Sequence, residues 1–277
     1  MSPYAFADYA LAQRLERAES AANASFVDAR SWLLPSSPAT WIDVDGTWAM
    51  FDGVGSPLTQ SFGFGLFSAP LGEHMDELEH FFEVHNSEVY HEVSPLAHPD
   101  TLLVLADRGY VPVELTSVLH RPLDASMIEA EPAHPSASGL STRISTVDVD
   151  GSLWAETSAA GWGEFPELGD FMREIGGVMS HSRHTFCFLA EIDGQPAGAG
   201  ALSVHQGVAL LAGASTIPAF RGRGAQNALL HARLAFAASQ GCDLAMMGAL
   251  PGSASQRNAE RQGFRIAYTR IKWGRRV

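Results

Sequence analysis

The stretch from Val208 to Ala237 constrains this chain more than any other. An apolar run, Val208 to Ile217, reads as a strand, and Arg221-Gly-Arg-Gly224 reads as a tight loop. Leu229, Leu230, Arg233, Leu234 and Ala237 then recur at helical spacing. Strand, glycine loop and helix together make an anion site. Glycines allow successive backbone N–H groups to face one concavity, and the helix adds the positive end of its dipole, so a phosphate needs no dedicated side chain. Arg221 and Arg223 bring charge to the mouth of that loop.

The whole chain of 277 residues, 46% hydrophobic, is long enough for two modest domains with real cores. Charge divides it unevenly. Residues 1–130 hold 19 acidic and 5 basic residues, whereas residues 131–277 hold 12 and 13. The acidic first part argues against a nucleic-acid footprint, and the arginines of the second part suit a small polyanion. No apolar run is long enough to span a bilayer, and the first residues lack the basic and apolar segments of a secretory signal. Cys187 and Cys242, each in an apolar segment, fit buried thiols, so a cytoplasmic location is expected.

Before the linker, residues 3–24 read as an amphipathic helix, and Trp41 to Phe51 as two strands around Asp45-Gly46. Strands follow at Ser61–Phe67, Val89–Val93 and Val111–His120, with helices at Glu73–His85 and Pro99–Arg108. The Pro- and Ser-containing stretch 126–139 is read as a linker. Beyond it come a strand at Leu140–Val149, helices at Ser152–Gly161 and Leu168–Met179, and strands at Thr185–Ile192 and Ala197–Val204. After the glycine loop and its helix, the order closes with strand Leu244–Leu250, helix Ser253–Gln262 and strand Phe264–Trp273. Both parts end alike: Arg108-Gly-Tyr110 and Gln262-Gly-Phe264 each join a helix to a strand through a glycine cap, a weak sign of duplication.

This order in residues 140–277, with Arg221-Gly-Arg-Gly-Ala-Gln226 at its centre, resembles the GNAT superfamily of acyl-CoA-dependent N-acyltransferases. The superfamily signature is Gln/Arg-x-x-Gly-x-Gly/Ala. Arg221 and Gly224 match it, and Gln226 replaces the last small residue. A dinucleotide fingerprint or a P-loop fits less well, because the third glycine of the one and the Gly-Lys-Ser/Thr of the other are missing.

The resemblance implies an α+β fold, a mixed and mostly antiparallel sheet flanked by helices, present in tandem. It implies a degenerate copy at 1–125, a linker at 126–139 and an acetyl-CoA-binding copy at 140–277. It implies pyrophosphate on the amides of Arg221, Gly222, Arg223, Gly224, Ala225 and Gln226, and a pantetheine arm along Ser215, Thr216 and Ile217, with the acyl carbonyl held by an N–H near Ile217. The activity implied is transfer of acetyl from acetyl-CoA to a primary amine of a small molecule or peptide, by direct attack. No nucleic acid, membrane or metal is implied, and a homodimer is compatible with it.

The tyrosine that many members use as proton donor is replaced at its expected place by Ala259. Ser255 is read as a substitute donor, direct or through water, or as a helix cap or cofactor contact; Asn258 is a further candidate cofactor contact. The missing tyrosine also keeps open a non-catalytic acyl-CoA sensor or partner-binding module. For the acceptor, Trp154, Trp162, Glu164, Phe165 and Glu167 combine aromatic and carboxylate groups suited to an ammonium, or else are core aromatics with solvated charges. His74, His80, His85, His91 and His98 lack metal-ligand spacing. In the first part, Ala69 to Glu77 stands where a glycine loop would, with Glu73, Asp76 and Glu77 at the helix start repelling a phosphate.

Overall fold

The computed structural model describes residues 6–128, 139–145 and 147–275. In chain order the elements are α1 (Tyr9–Leu33), β1 (Thr40–Val44), β2 (Thr47–Phe51), β3 (Gln60–Phe62), α2 (Gly72–Val84), β4 (Tyr90–Val93), α3 (Asp100–Asp107) and β5 (Tyr110–Pro122). There follow β6 (Leu140–Ser145), α4 (Val147–Ala160), α5 (Gly169–Ser180), β7 (Thr185–Ile192), β8 (Gln195–His205), β9 (Val208–Thr216), α6 (Ala225–Ser239), β10 (Leu244–Ala249), α7 (Ala254–Arg261) and β11 (Arg265–Arg275). Most of the expected linker lies outside the described residues. The fold is a mixed α+β one, mostly antiparallel and flanked by helices, as expected.

Four elements differ most from the sequence reading. Helix α1 runs on to Leu33, stopped by Pro35, because Phe26, Val27, Ala29 and Arg30 keep its inner face buried for two further turns. Strand β3 ends at Phe62, since Gly63 and Gly65 both take positive φ and turn the chain away. Strand β6 ends at Ser145, and α4 begins several residues earlier than its periodicity suggests.

The chain forms two compact units, and their limits depart from the sequence segments. One comprises the chain up to Arg121 and again from Met246; the other is Pro122–Ala245. The sequence places residues 246–277 with the second segment, but β11 pairs antiparallel with both β4 and β5 of the first. A strand follows its hydrogen-bond partners, and sequence adjacency does not reveal them.

In the first unit β1, β2 and β3 are antiparallel, β3 runs parallel to β4, and β11 lies between β4 and β5. The period-two rule sends alternate residues of β2 to different clusters. Ala49 and Phe51 join Met75, Leu78 and Phe82 of α2, whereas Met50 joins Val27 of α1 and Phe62.

In the second unit β6, β7, β8 and β9 form consecutive antiparallel pairs. Cys187 and Leu189 of β7, with Ala199 and Ala201 of β8, pack on Trp154 of α4. Their neighbours face α6, where Phe186 and Phe188 meet the ring of Phe236. Gly198 and Gly200 lie on that same face of β8. A Cβ on Gly200 would come within 3.0 Å of the Arg233 guanidinium carbon, so glycine allows α6 to lie close.

Candidate active site

The site is assembled within the second unit from three segments. They are the chain leaving α4 (Gly161, Trp162, Glu164, Phe165), the end of β9 (Ala214, Ser215, Thr216), and the glycine loop with the start of α6 (Phe220 to Gly222 and Gly224 to Asn227). They line an open pocket of about 620 Å³.

The end of α4 is fastened to β9. Ser215 Oγ donates to the Ser158 carbonyl at 2.9 Å, and Gly161 lies so close to Ser215 that any side chain there would collide with it. Strand β9 is not regular. Its register with β8 shifts between the pairs Ala201–Ala212 and Ala199–Ser215, so Gly213 and Ala214 both stand opposite Gly200, which is a β-bulge. Gly213 takes φ 59° there.

Beyond the bulge the ladder resumes, and it corrects one expectation. Ile217 N–H donates to the Ala197 carbonyl at 3.0 Å and is therefore committed to β8, so it cannot hold an acyl carbonyl. Backbone groups alternate sides along a strand, so Thr216 directs its N–H and C=O to the edge of β9 opposite β8. Of the N–H groups near Ile217, that of Thr216 is therefore the one facing away from β8, while Arg221 Nε donates to the Thr216 carbonyl at 3.4 Å.

The glycine loop has the geometry that its composition implies. Gly222 and Gly224 have φ of 74° and 90°, and Gly224 is the N-cap of α6. Ala228 is the first residue whose N–H reaches back to Gly224 O, at 3.0 Å. The N–H groups of Ala225, Gln226 and Asn227 are consequently the open first turn of the helix, uncapped by any side chain. The Gln226 substitution does not fill the loop. Its Nε2 folds back to donate to Thr216 Oγ1 at 2.7 Å, tying the helix start to the strand end.

The two arginines are held differently. Arg221 Nη1 pairs with Glu164 at 2.7 Å, and its Nη2 donates to the Gly161 carbonyl at 3.2 Å, bridging the loop to the segment after α4. Arg223 pairs with Asp193 at 3.1 Å, with its guanidinium over the Phe220 ring. Both pairs are solvent-exposed and worth a fraction of a kcal/mol each, so an incoming anion can compete for either cation.

Of the residues assigned to acceptor recognition, Trp162, Glu164 and Phe165 line the pocket, and Trp154 does not. Trp154 is 1% exposed, and its Nε1 donates to the Phe188 carbonyl at 3.1 Å, so it is a core residue with its polar atom satisfied. Glu164 faces Arg221. Glu167 is exposed and is not among the lining residues.

Ser255 and Asn258 lie on α7, in the first unit, and neither is a lining residue. The cap of α7 is Ser253, whose Oγ accepts from Gln256 N at 3.1 Å, so Ser255 does not serve as one. Sequence reasoning missed Phe220, Ala214 and Asn227, whose only signal is adjacency to the motif. Among the described residues no cluster of His, Cys, Asp or Glu is arranged to hold a metal, and no helix is long and apolar enough to cross a membrane. Burial pushes the Cys187 thiol up to about 12, which suppresses its thiolate.

Residues 153–264 match the model of the acetyltransferase (GNAT) family. In those residues the chain is therefore similar to a GNAT acetyltransferase domain. Its matched span takes in the bulge, the glycine loop and α6, and runs on into α7 across the boundary between the compact units.

Solved structures agree on the GNAT fold. A GCN5-related N-acetyltransferase from Kribbella flavida is 18% identical, with a TM-score of 0.60 over 92% of this chain and 96% of its own. A tandem GNAT protein from the clavulanic acid biosynthesis pathway is 15% identical, with a TM-score of 0.54 over 91% and 94%. A GNAT-family acetyltransferase from Novosphingobium aromaticivorans is 18% identical, with a TM-score of 0.51 over 90% and 96%. No curated protein matches the sequence. The likeness to GNAT proteins thus extends well beyond the residues that the family model matches.

Proposed function

We propose that this GNAT-like domain binds acetyl-CoA in the second unit and transfers the acetyl group to a primary amine. The observation that carries the proposal is the coincidence, in one pocket, of an open helix turn and the end of β9, where Thr216 N–H faces away from β8. The amides of Ala225, Gln226 and Asn227, with Arg221 and Arg223 beside them, suit a pyrophosphate. The edge of Thr216 suits an extended amide-bearing arm, which would add to β9 like a further strand.

In the reaction the amine nitrogen attacks the thioester carbonyl carbon. A C–N bond forms, the C–S bond breaks, the amine releases one proton, and the CoA thiolate takes one up. Positioning and a preorganised N–H donor at Thr216 would supply most of the acceleration. Trp162, Phe165 and Phe220 give the pocket an aromatic rim beside the carboxylate of Glu164, which suits an amine on a small molecule or a peptide.

A second reading has one observation in its favour. Ala259 occupies the position where a tyrosine donor is expected and is buried, so no hydroxyl is available there; this favours a non-catalytic acyl-CoA sensor. Calorimetric titration of the full chain with acetyl-CoA, followed by a thiol-release assay over a panel of amines, tests both readings. Binding with thiol release supports the transferase, binding without release supports the sensor, and no binding overturns both.

A further inference from the structure

Arg233 is 3% exposed, in the third turn of α6, and no carboxylate pairs with it among the described residues. Its hydrogen bonds go to main-chain carbonyls. Nε donates to Leu229 O at 3.1 Å, one turn back on its own helix. Nη1 donates to Ala201 O on β8 at 3.1 Å and to Ala212 O on β9 at 3.3 Å.

Ala201 and Ala212 are partners, the last regular pair before the bulge at Gly213 and Ala214. One guanidinium therefore clamps both strands beside the irregularity and anchors them to the helix whose first turn is open. It fits only because Gly200 has no side chain: a Cβ there would stand 3.0 Å from Cζ and 3.2 Å from Nε.

An apolar side chain would fill this space without the cost of burying a cation that no carboxylate balances. Burial already pushes the Arg233 guanidinium down to about 10. The group nevertheless stays charged near neutral pH, and what it contributes is geometry. Without the clamp, the register beyond the bulge is less firmly fixed, and a one-residue slip there reverses which backbone groups face outward.

We infer that Arg233 is a positioning residue that fixes the outward edge of β9 at Thr216 relative to the open turn of α6, and so sets the distance between the thioester-arm and pyrophosphate halves of the site. This inference rests on the acetyl-CoA reading above. It predicts that the two halves of the cofactor respond differently to the loss of the clamp. Arg233 touches neither half, so its effect should appear only where the strand edge is used.

The test is calorimetry on the full chain with acetyl-CoA, CoA and adenosine 3′-phosphate 5′-diphosphate, the part of CoA that lacks pantetheine. Arg233→Met is expected to weaken acetyl-CoA and CoA at least 10-fold while changing the fragment less than twofold. Arg233→Lys, which keeps a cationic donor, should recover part of the loss. Gly200→Ala, which pushes the guanidinium off the bulge, should reproduce the Met pattern and decides the matter if Arg233→Met does not fold. Equal weakening of all three ligands, or none, overturns the positioning role while leaving the acetyl-CoA reading intact. Failure of the wild type to bind acetyl-CoA removes that reading and the inference with it.

Discussion

The two helix starts that follow a loop at a strand end, α2 in the first unit and α6 in the second, offer the same backbone dipole and differ in nearly everything around it. Before α6 stand two glycines with positive φ, and its first turn carries no acidic residue. Before α2 stands Leu71 in extended conformation, and Glu73 lies in the first turn. Arg108 does reach the α2 start, donating to Gly72 O at 2.9 Å, which the absence of local basic residues gives no hint of. Its charge, however, is taken by Asp76 at 2.6 Å and Glu79 at 3.1 Å. A helix N-terminus is thus a common feature; a site for an anion also needs a loop that leaves amides open and cations that a ligand can claim.

The buried arginines of the two units repeat the contrast. Arg233 is held by carbonyls alone. Arg270 of β11 is met by three carboxylates: Glu19 at 2.7 Å, Glu92 at 2.9 Å and Glu16 at 3.3 Å. Tyr268 donates to Glu16 as well, and burial raises the Glu16 carboxyl to about 7 despite the neighbouring Arg270. In the first unit the buried cation balances charge; in the second it shapes a strand.

The largest effect should come from breaking the charge cluster. Arg270→Met leaves Glu16, Glu19 and Glu92 without their shared cation and is expected to cost about 3–5 kcal/mol in stability near pH 7. The loss should grow as pH rises through and above 7, because below the wild-type value of about 7 Glu16 is protonated in both folded proteins. Removing the cation raises the folded-state carboxyl pKa further above the unfolded value of 4.5, and a raised carboxyl pKa means stability that is present at low pH and lost as pH rises. Denaturant melts from pH 5 to 8 check this, and a loss independent of pH would show that the cluster is not held by charge.

A smaller effect, confined to ligand binding, is expected from Arg221→Glu. It sets a second carboxylate beside Glu164 at the phosphate site and should weaken acetyl-CoA about 100-fold, ~2.7 kcal/mol, in calorimetry. The melting temperature should hardly move, because the lost pair is solvent-exposed. Unchanged affinity would place the phosphate elsewhere.

The smallest effect sharpens the contrast between helix starts. Glu73→Gln combined with Glu77→Gln removes acidic charge near the start of α2 without supplying a glycine loop, and calorimetry should still count one acetyl-CoA per chain. A second binding event would mean that charge alone separates the two helix starts.

Much of this architecture is legible in the residues. The apolar runs on either side of Asp193-Gly194 mark β7 and β8, Asp45-Gly46 marks the first hairpin, and Arg221-Gly-Arg-Gly224 marks the glycine loop. Each of these signals is local, a matter of φ, side-chain period or a missing Cβ, and local signals survive in a linear string. The tertiary structure decided the rest. It placed β11 between β4 and β5 rather than with the segment that precedes it. It sent Trp154 into the core and gave the outward edge of β9 to Thr216 instead of Ile217. It made Arg233, one helical residue among many, the clamp of a bulge. Those outcomes depend on which strands exchange hydrogen bonds and where register slips by one residue, and both are settled between segments far apart in the chain.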